Sequence, residues 1–590
     1  MAAIPISEAA QVIDSAQRRA LWNEPRGTTL LDVVARPAER YPDLPAFFFS
    51  TDGRLAEPLS WSALWNGALG QADRLKAAGL SPSQPVLLAA PTSATFVTAF
   101  FGILAAGGVP VPIATPPSLK PARLAWYRDL VFGIVADSGA ALLVTTGRYF
   151  DVLEDAAAAA TGPLRVINAD GDPAGGVPPP PADASADALL QYTSGSTSRP
   201  KGVLLTHANI VANASVIADA IARETSACVS WLPLHHDMGL IGAALTGLYS
   251  RTPVLLLPTT LFVKEPSSWL RAIGAFRATI TLAPNFAFAH AVRHAPIGQL
   301  AGVSLASLRT ALNGAEPVDV AAVEEFERTF APLGLRPGVV RPVYGLAESA
   351  LAVTFSDEGE RLVDVVEADA LEHDARAVPA ADTGGRTRTL MSVGRPLATQ
   401  RVQIVDGGGR VCAERTVGEV VVRGPSVMHA YHNRPEETAA AVQDGWLHTG
   451  DLGYLADGRL YLTGRLKDLI IRHGRNYHPP DIEQVIAAAE GVIRGGSVAF
   501  DLPDSAEPLV IVVAETRCRQ AGELDALARR IRERCHEAFL FGPDRVCLVP
   551  AGAIPRTTSG KVRRHACRQL YLTAELPVLA HGEDQAPPGT

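Results

Sequence analysis

A run of small hydroxyl residues and glycine between Tyr192 and Lys201 has the composition of a phosphate-binding loop. It begins at the end of the apolar segment ALLQYT and contains Thr193, Ser194, Gly195, Ser196 and Thr197. Small residues leave backbone N–H groups open to phosphate oxygens, hydroxyl groups add donors, and the lysine adds positive charge. The spacing does not fit the Walker pattern G-x-x-x-x-G-K-[ST]. We therefore expect a phosphate site of another kind, with a flexible linker as the alternative.

Two other chemistries are disfavoured by missing partners. Ser198-x-x-Lys201 matches the S-x-x-K of penicillin-recognising serine enzymes, but their S-D-N and K-T-G motifs are absent, as is a G-x-S-x-G elbow. His235-His236-Asp237 contains metal-ligating residue types. Neighbouring side chains point in divergent directions and no spaced third ligand follows, so a metal site is not expected there.

Six motifs whose residues could take part in binding or catalysis follow one another along the chain. They are YTSGSTSRPKG (192–202), WLPLHHDMGLIG (231–242), NGAEP (313–317), YGLAE (344–348), WLHTGDL with GRLKD (446–452 and 464–468), and PRTTSGKV (555–562). Tyrosine offers an aromatic face for stacking, and a carboxylate suits a hard cation that bridges phosphates. Each motif alone is compatible with an ordinary turn.

In this order and at this spacing the motifs resemble those of the adenylate-forming superfamily, over roughly Leu30 to Gln569. The resemblance implies an α/β fold. A large N-terminal domain (residues 1–465) would contain two βαβ-type subdomains and a small β-barrel-like part. A small, mobile α+β domain (residues 466–590) would rotate about a hinge near Lys467.

The resemblance also implies ATP and Mg²⁺ as cofactors and assigns residues to them. The loop 193–197 and Lys201 would hold the β- and γ-phosphates, and Glu348 with Thr197 would hold Mg²⁺. Tyr344 would stack on adenine, and Asp451 would accept hydrogen bonds from the ribose hydroxyls, assisted by Arg465. The adenine site would be completed by Asn313, Gly314, Ala315, Glu316, Gly345, Leu346 and Ala347.

Catalysis in the resembling family depends on charge neutralisation rather than on a covalent nucleophile. Lys561 would neutralise charge between the attacking carboxylate and the α-phosphate. His236 would gate the carboxylate pocket; without the resemblance it would be interpreted as a core or turn histidine.

Several details are similar to fatty acyl-AMP ligases, which pass the acyl group to an acyl carrier protein rather than to coenzyme A. These are HDMGLIG after His236, APNFAF with Asn285 and Phe286 beside the acyl pocket, GRNYHPPDIE (474–483), and 43 residues between Glu348 and Ser392. The last segment matches an insertion thought to restrict the conformation that coenzyme A needs. The alternative is a tolerated surface loop, since long insertions cost little.

Three positions depart from the family pattern, and two alternative functions remain open. Ser198 stands where glycine is usual, Ala347 replaces a common threonine, and His478 replaces tyrosine. If position 198 needs a positive φ or close phosphate approach, serine weakens ATP binding. The alternatives are a medium- or long-chain acyl-CoA ligase and a weakly active or non-catalytic adenylate-binding relative.

Composition limits the function classes. The 590 residues are 47% hydrophobic and 19% charged, with a net charge of −8, so we expect a multidomain globular protein that binds no nucleic acid. Six cysteines without a C-x-x-C pair and the absence of a signal sequence predict a cytoplasmic protein. The uncharged stretch 94–114 is long enough to span a bilayer, but Gly107-Gly108 and Pro110 divide it into a buried helix and a strand.

Apolar runs of strand length alternate with helical segments, which predicts βαβ units. These runs are Val86–Ala89, Ala141–Thr145, Pro253–Leu257 and Thr279–Leu282. The Pro/Gly/Ala-rich stretch Gly171–Asp187 is expected to be an exposed connector. The arginine-rich segment Leu524–Phe539 is expected to be a helix, either an ordinary solvated surface or a docking face for the acidic carrier. Acyl chain length, the identity of the carrier and the oligomeric state stay open.

Overall fold

The structure is a computed structural model that describes residues 3–11, 16–116, 125–158, 164–171, 175–193, 201–381, 385–472, 475–502, 509–556 and 562–582. Several residues singled out by sequence lie outside the described parts: Ser194, Gly195, Ser196, Thr197, Ser198 and Lys561.

A ten-stranded sheet forms the largest layer. In spatial order its strands are Ile4–Pro5, Leu55–Ser60, Pro45–Phe49, Val254–Leu256, Cys228–Ser230, Ile280–Pro284, Thr310–Gly314, Val340–Gly345, Ala352–Phe355 and Arg395–Pro396. The six strands from Pro45–Phe49 to Val340–Gly345 pair in parallel, and the outer strands pair antiparallel. The strands Val254–Leu256, Ile280–Pro284 and Thr310–Gly314 are buried at every residue, as is usual for parallel strands covered on both faces.

A second, four-stranded sheet is entirely parallel. Its order is Val109–Pro112, Pro85–Ala89, Leu142–Thr145 and Arg165–Asn168. The uncharged stretch 94–114 contributes the helix Ala94–Ala105 and then the first of these strands, with Gly107 at φ +84° in the turn between them. Both elements are buried, as the sequence predicts. Among the described residues, no helix has the length and apolarity to cross a membrane.

Two antiparallel sheets complete the larger part of the chain. One has three strands, in the order Ala430–Tyr431, Lys201–Thr206 and Asp187–Thr193. The other joins Arg401–Val405, Gly418–Arg423, Trp446–Ala456, Val442–Gln443 and Arg459–Arg465. The three-stranded sheet supplies both strands that flank the predicted phosphate loop, with Thr193 directly opposite Lys201.

The C-terminal part is built on its own sheet and its own cores. Its four strands are Val492–Leu502, Leu509–Thr516, Arg545–Pro550 and Ala580–Gly582, and a two-stranded hairpin, Ile470–Arg472 with Arg475–Tyr477, precedes them. Val510 and Val512 pack in one apolar cluster, whereas Ile511 and Val513 pack in another. Because side chains alternate along a strand, both faces of this sheet are buried. The mixed α/β architecture with a large N-terminal and a smaller C-terminal domain is thus confirmed.

Helices cover the sheets. The described ones are Ile6–Ala9, Ala16–Trp22, Leu30–Arg40, Trp61–Ala77, Ala94–Ala105, Ala125–Ser138, Gly147–Ala158, His207–Ile221, Thr246–Ser250, Thr259–Lys264, Ser267–Ala275, Asn285–His294, Val320–Phe330, Ala368–Asp374, Pro435–Ala441, Pro479–Ala487, Ala521–Phe539 and Arg564–Leu572. Met238–Leu245 is a π-helix. The arginine-rich segment forms the helix Ala521–Phe539, as expected, with Leu524, Leu527 and Ile531 on its buried face.

The 43 residues after Glu348 fold into more than a loop. Strands Val363–Glu367 and Thr387–Met391 pair antiparallel, and the helix Ala368–Asp374 lies between them in sequence. Val366 and Leu371 share a buried cluster with Tyr454 of the five-stranded sheet. Within the described residues of this insertion, arginine side chains also reach the smaller domain. Arg386 Nε donates to the Ala538 carbonyl at 2.7 Å, and Arg388 lies 2.9 Å from Asp481.

Candidate active site

The carboxyl ends of the central parallel strands open onto a cleft of about 2730 Å³. Strands Ile280–Pro284, Thr310–Gly314 and Val340–Gly345 are in register and end at this edge, and the residues that follow line the cleft. Crevices at the carboxyl ends of parallel strands are the usual ligand sites of open α/β sheets. The five-stranded sheet and the smaller domain form the opposite wall.

Most of the described residues predicted to bind nucleotide face this cleft. They are Thr193, Lys201, Gly314, Ala315, Glu316, Tyr344, Gly345, Leu346, Ala347, Glu348, Asp451 and Arg465. Asn313 lies behind the lining, fully buried, with its Nδ2 donating to Asn285 Oδ1 at 3.0 Å. It therefore positions the start of the helix Asn285–His294 rather than facing the cleft.

The backbone at this edge has unusual geometry at Gly345 and Ala315. A Cβ at Gly345 would lie 1.8 Å from the Leu351 carbonyl oxygen, a separation that no side chain tolerates. Ala315 has φ +71°, in the left-handed region that residues with a Cβ adopt uncommonly. Gly345 therefore allows the chain to pass close to the Leu351 backbone beside the cleft.

Asp451 joins three elements at the predicted ribose position. Its Oδ2 accepts a hydrogen bond from the Tyr344 hydroxyl at 2.7 Å, and its Oδ1 accepts one from Arg465 Nε at 2.9 Å. Burial and the nearby carboxylate of Asp451 raise the pKa of Tyr344, so the phenol stays protonated and donates. The carboxylate is almost fully buried, and its orientation is fixed from two sides.

At the predicted phosphate position Lys201 is held by residues far away in sequence. Its ammonium forms an ion pair with Glu437 and lies 5.0 Å from the ring centre of Tyr431. The Tyr431 hydroxyl donates to Glu348 Oε1 at 2.8 Å. The sequence analysis missed Tyr431 and Glu437. The sequence marks them only weakly, by a tyrosine that precedes a helix beginning with proline, Pro435–Ala441.

The motif WLPLHHDMGLIG, which contains the predicted gate residue His236, runs into the π-helix Met238–Leu245. His236 faces the cleft, and its Nδ1 is 2.7 Å from Asp237 Oδ1. His235 is buried, which lowers its pKa to about 3 and keeps the ring neutral. A Cβ at Gly239 would lie 2.3 Å from the Pro233 carbonyl oxygen, so this motif glycine is needed for packing. Among the described residues, no group of three metal-ligating side chains is found.

Aromatic side chains form a wall next to His236, in the region where the sequence analysis expects the acyl chain. Phe286 packs edge-to-face against Trp231 with ring centres 6.2 Å apart, and Trp231 stacks on Phe262 at 3.8 Å. The Phe286 backbone N–H donates to Glu316 Oε1, which ties this wall to the predicted adenine segment. Asn285 and Phe286 both line the cleft. Apolar walls of this kind suit an aliphatic chain.

The predicted hinge lies between two anchored residues. Arg465 is bonded to Asp451 of the five-stranded sheet, and Lys467 faces the cleft. Asp468 accepts from Arg564 Nη1 at 2.7 Å, and the same guanidinium pairs with Glu483 at 2.8 Å. Arg564 begins the helix Arg564–Leu572, three residues after Lys561. Arg556 and Val562, on either side of Lys561 in sequence, pair through an antiparallel β-bridge.

Comparison with known proteins agrees with this geometry. A family model described as AMP-binding enzyme matches residues 34–432, and one described as Disco-interacting protein 2-like, AMP domain, matches residues 467–581. The medium-chain-fatty-acid–[acyl-carrier-protein] ligase JamA of Moorena producens is 33% identical over 94% of this chain and 97% of its own.

Two solved structures of similar proteins cover nearly the whole chain. One is from work on the fatty acyl-adenylate ligases of E. coli and L. pneumophila, with a TM-score of 0.86, 33% identity and coverage of 94% of this chain and 99% of that one. The other is the L. pneumophila fatty acyl-adenylate ligase in complex with acyl adenylate and pyrophosphate, with a TM-score of 0.71, 32% identity and coverage of 94% and 98%. The chain therefore belongs to the AMP-binding enzymes, in the branch whose named members are fatty acyl-AMP ligases.

Proposed function

We propose that this chain activates a fatty acid with Mg·ATP to acyl-AMP, releasing pyrophosphate, and then transfers the acyl group to the phosphopantetheine thiol of an acyl carrier protein, releasing AMP. The observation that carries the proposal is the convergence in one cleft of the Tyr344–Asp451–Arg465 network, the Lys201–Tyr431–Glu348 cluster and the aromatic wall at Phe286. The products belong to polyketide, lipopeptide or lipid biosynthesis, and the reaction is placed in the cytoplasm.

Nucleotide recognition is assigned to the residues around Asp451. Tyr344 supplies the stacking face for adenine, and Asp451, already oriented by Tyr344 and Arg465, accepts from the ribose hydroxyls. The segments 313–316 and 345–347 form the rest of the adenine site. A carboxylate held in place before the ligand arrives costs little to order on binding.

The phosphates are assigned to Lys201 and the loop 193–197. Glu348 suits a hard cation, because Mg²⁺ in nucleotide sites is bound by one or two carboxylates together with phosphate oxygens. Glu348 faces the cleft with its Oε1 bonded to Tyr431, and Thr197 would add a hydroxyl. When bound, Mg²⁺ supplies charge neutralisation at the phosphates.

The chemical step needs a carboxylate and an α-phosphate in line. His236 borders the carboxylate pocket, Asn285 and Phe286 border the acyl chain, and Lys561 neutralises the charge shared between the two reacting groups. No covalent enzyme intermediate is required. After adenylation the smaller domain, residues 466–590, rotates on residues 1–465 about Lys467 and admits the carrier's thiol.

The decisive experiment is mass spectrometry of one reaction mixture that contains the protein, Mg·ATP and a ladder of fatty acids, divided between coenzyme A and a holo carrier protein. Acyl-AMP that persists with coenzyme A and disappears onto the carrier establishes the proposal and reports chain length. Formation of acyl-CoA would instead make the chain a CoA ligase.

A third outcome concerns Ser198. Nucleotide binding without pyrophosphate release would identify a non-catalytic relative, and Ser198→Gly should then restore turnover because glycine permits closer approach to phosphate. Failure of that substitution to restore turnover would remove Ser198 as the cause.

A further inference from the structure

Both ends of the predicted phosphate loop are tied into a single chain of polar contacts. At the start of the loop, the Tyr192 hydroxyl donates to Asp137 Oδ2 at 2.7 Å. Arg434 Nη2 donates to Asp137 Oδ1 at 2.8 Å, and its Nη1 donates to Glu437 Oε1 at 2.9 Å. Glu437 then pairs through Oε2 with Lys201, at the end of the loop.

Glu437 places a negative charge where the proposed function places phosphate. Both Glu437 and Lys201 line the cleft, and their side chains are 38% and 29% exposed. The ion pairs with Lys201 and Arg434 lower the pKa of Glu437, so the carboxylate is ionised near neutral pH. A triphosphate that reaches Lys201 therefore meets a carboxylate already paired with it.

A half-exposed ion pair of this kind is weak enough to be exchanged. Exposed and partly exposed pairs contribute a factor of about two to five in an equilibrium constant. Phosphate oxygens carry more charge and accept more than one hydrogen bond from an ammonium, so they compete effectively. Each partner of the pair also has a second contact: Glu437 accepts from Arg434, and Lys201 lies over the Tyr431 ring.

We propose that Glu437 is an exchangeable counter-ion of Lys201: it holds the lysine in the nucleotide-free site and is displaced by the phosphates of ATP, while Arg434 keeps the released carboxylate in place. Glu437 is thus a positioning residue that competes with the nucleotide. This inference rests on the proposed role of Lys201 as a phosphate ligand.

The test is isothermal titration of ATP into the full chain, without fatty acid, at low ionic strength. Removing a competitor tightens binding, so Glu437→Gln is expected to lower the Kd of ATP about two- to fivefold. The matched control is Glu436→Gln, which removes the same charge from the exposed neighbouring residue and should leave the Kd close to that of the parent. The tightening should shrink at high salt because exposed pairs are screened.

Lys201 separates this inference from the proposed function. Lys201→Met should weaken ATP binding, and adding Glu437→Gln to it should then change nothing. If Lys201→Met binds ATP as the parent does, the assignment of Lys201 to phosphate is wrong. If it binds ATP more weakly but Glu437→Gln alone gives equal or weaker binding than the parent, the counter-ion role is wrong and the phosphate assignment stands.

Two further outcomes are informative. Tightening that persists in the Lys201→Met background would be a general charge effect and would overturn the proposal. If Glu437→Gln does not fold, Glu437→Asp keeps the charge for Arg434 but shortens its reach toward Lys201. This variant should tighten ATP binding by a smaller factor, and unchanged or weaker binding would again overturn the proposal.

Discussion

The Tyr344 hydroxyl donates to Asp451 Oδ2 across 2.7 Å and so joins the end of a central parallel strand to the five-stranded antiparallel sheet. The bond fixes a carboxylate at a place where these two sheets meet. Arg465 completes the arrangement from the next strand of the antiparallel sheet. Ribose recognition, as proposed, therefore depends on how these two layers pack together.

Asp451→Asn should remove the preference for a ribose over a deoxyribose. The carboxylate accepts hydrogen bonds from hydroxyls more strongly than an amide does, and a hydrogen bond to a charged group contributes about tenfold in affinity. We expect the parent to bind ATP about tenfold more tightly than 2′-deoxy-ATP, and the variant to bind the two nearly equally. Titration calorimetry measures both. A variant that keeps the parent's discrimination would contradict the assignment of Asp451.

Lys561→Ala should nearly abolish formation of acyl-AMP. Removing a group that stabilises charge in the transition state costs about a hundred- to a thousandfold in rate. Pyrophosphate release under single-turnover conditions gives the rate directly. Lys76→Ala, at an exposed lysine on the helix Trp61–Ala77, is the control and should react like the parent. Adenylation by Lys561→Ala at the parent's rate would refute the assignment.

The arginines of the insertion should restrict the use of coenzyme A. Arg386 and Arg388 bond the insertion to Ala538 and Asp481 of the smaller domain, so replacing both with glutamine removes contacts that resist its rotation. We expect the double variant to form acyl-CoA detectable by mass spectrometry, with acyl-AMP formation retained. Arg376→Gln, on an exposed residue of the same insertion, is the control. Absence of acyl-CoA from the double variant would show that these contacts do not exclude coenzyme A.

Stability of the larger domain should fall on acidification because of His207. Burial lowers the pKa of His207 to about 4, below its ordinary value near 6.5, and its Nδ1 accepts the Leu30 N–H at 3.2 Å. Between these two pH values His207 is protonated in the unfolded state but not in the folded state. The free energy of unfolding therefore decreases as the pH falls from 6.5 toward 4. The loss between pH 7 and pH 5 is about 2 kcal/mol.

Urea unfolding at the two pH values checks this expectation. His207→Asn keeps an acceptor for Leu30 but does not titrate, so its unfolding midpoint should depend less steeply on pH than that of the parent. His373→Asn, at an exposed histidine, should keep the parent's dependence. Equal slopes for His207→Asn and the parent would exclude His207 as the source.

The regular elements were predictable because their signals are local. Val86–Ala89, Pro253–Leu257 and Thr279–Leu282 are apolar runs of strand length, and each corresponds to a strand within two residues at either end. Gly107 marks the turn that divides the long uncharged stretch. The π-helix Met238–Leu245 was not predicted, since its apolar sequence gives no sign of the wider backbone turn.

Residues of the candidate site were predictable only where they belong to one short sequence motif. Tyr344 and Asp451 were found separately, but no local pattern indicates the hydrogen bond between them. Glu437 and Arg434 were missed because their partners Lys201 and Asp137 lie more than two hundred residues away in sequence. Such contacts arise when elements that are far apart in the sequence pack together, and no short segment of the sequence indicates them. The insertion was identified by length, but its paired strands and arginine contacts were not.

The anchors on either side of Lys467 limit how the two domains can move. Arg465 is fastened to Asp451 in the larger domain, and Asp468 is fastened to Arg564 and, through it, to Glu483 in the smaller one. As long as both anchors hold, relative motion has to be absorbed by the backbone torsions of Leu466 and Lys467. Each residue offers only φ and ψ, and these fall in a few allowed regions. If the smaller domain rotates about Lys467, as proposed, these anchors narrow the range of orientations that the backbone torsions of Leu466 and Lys467 can give it.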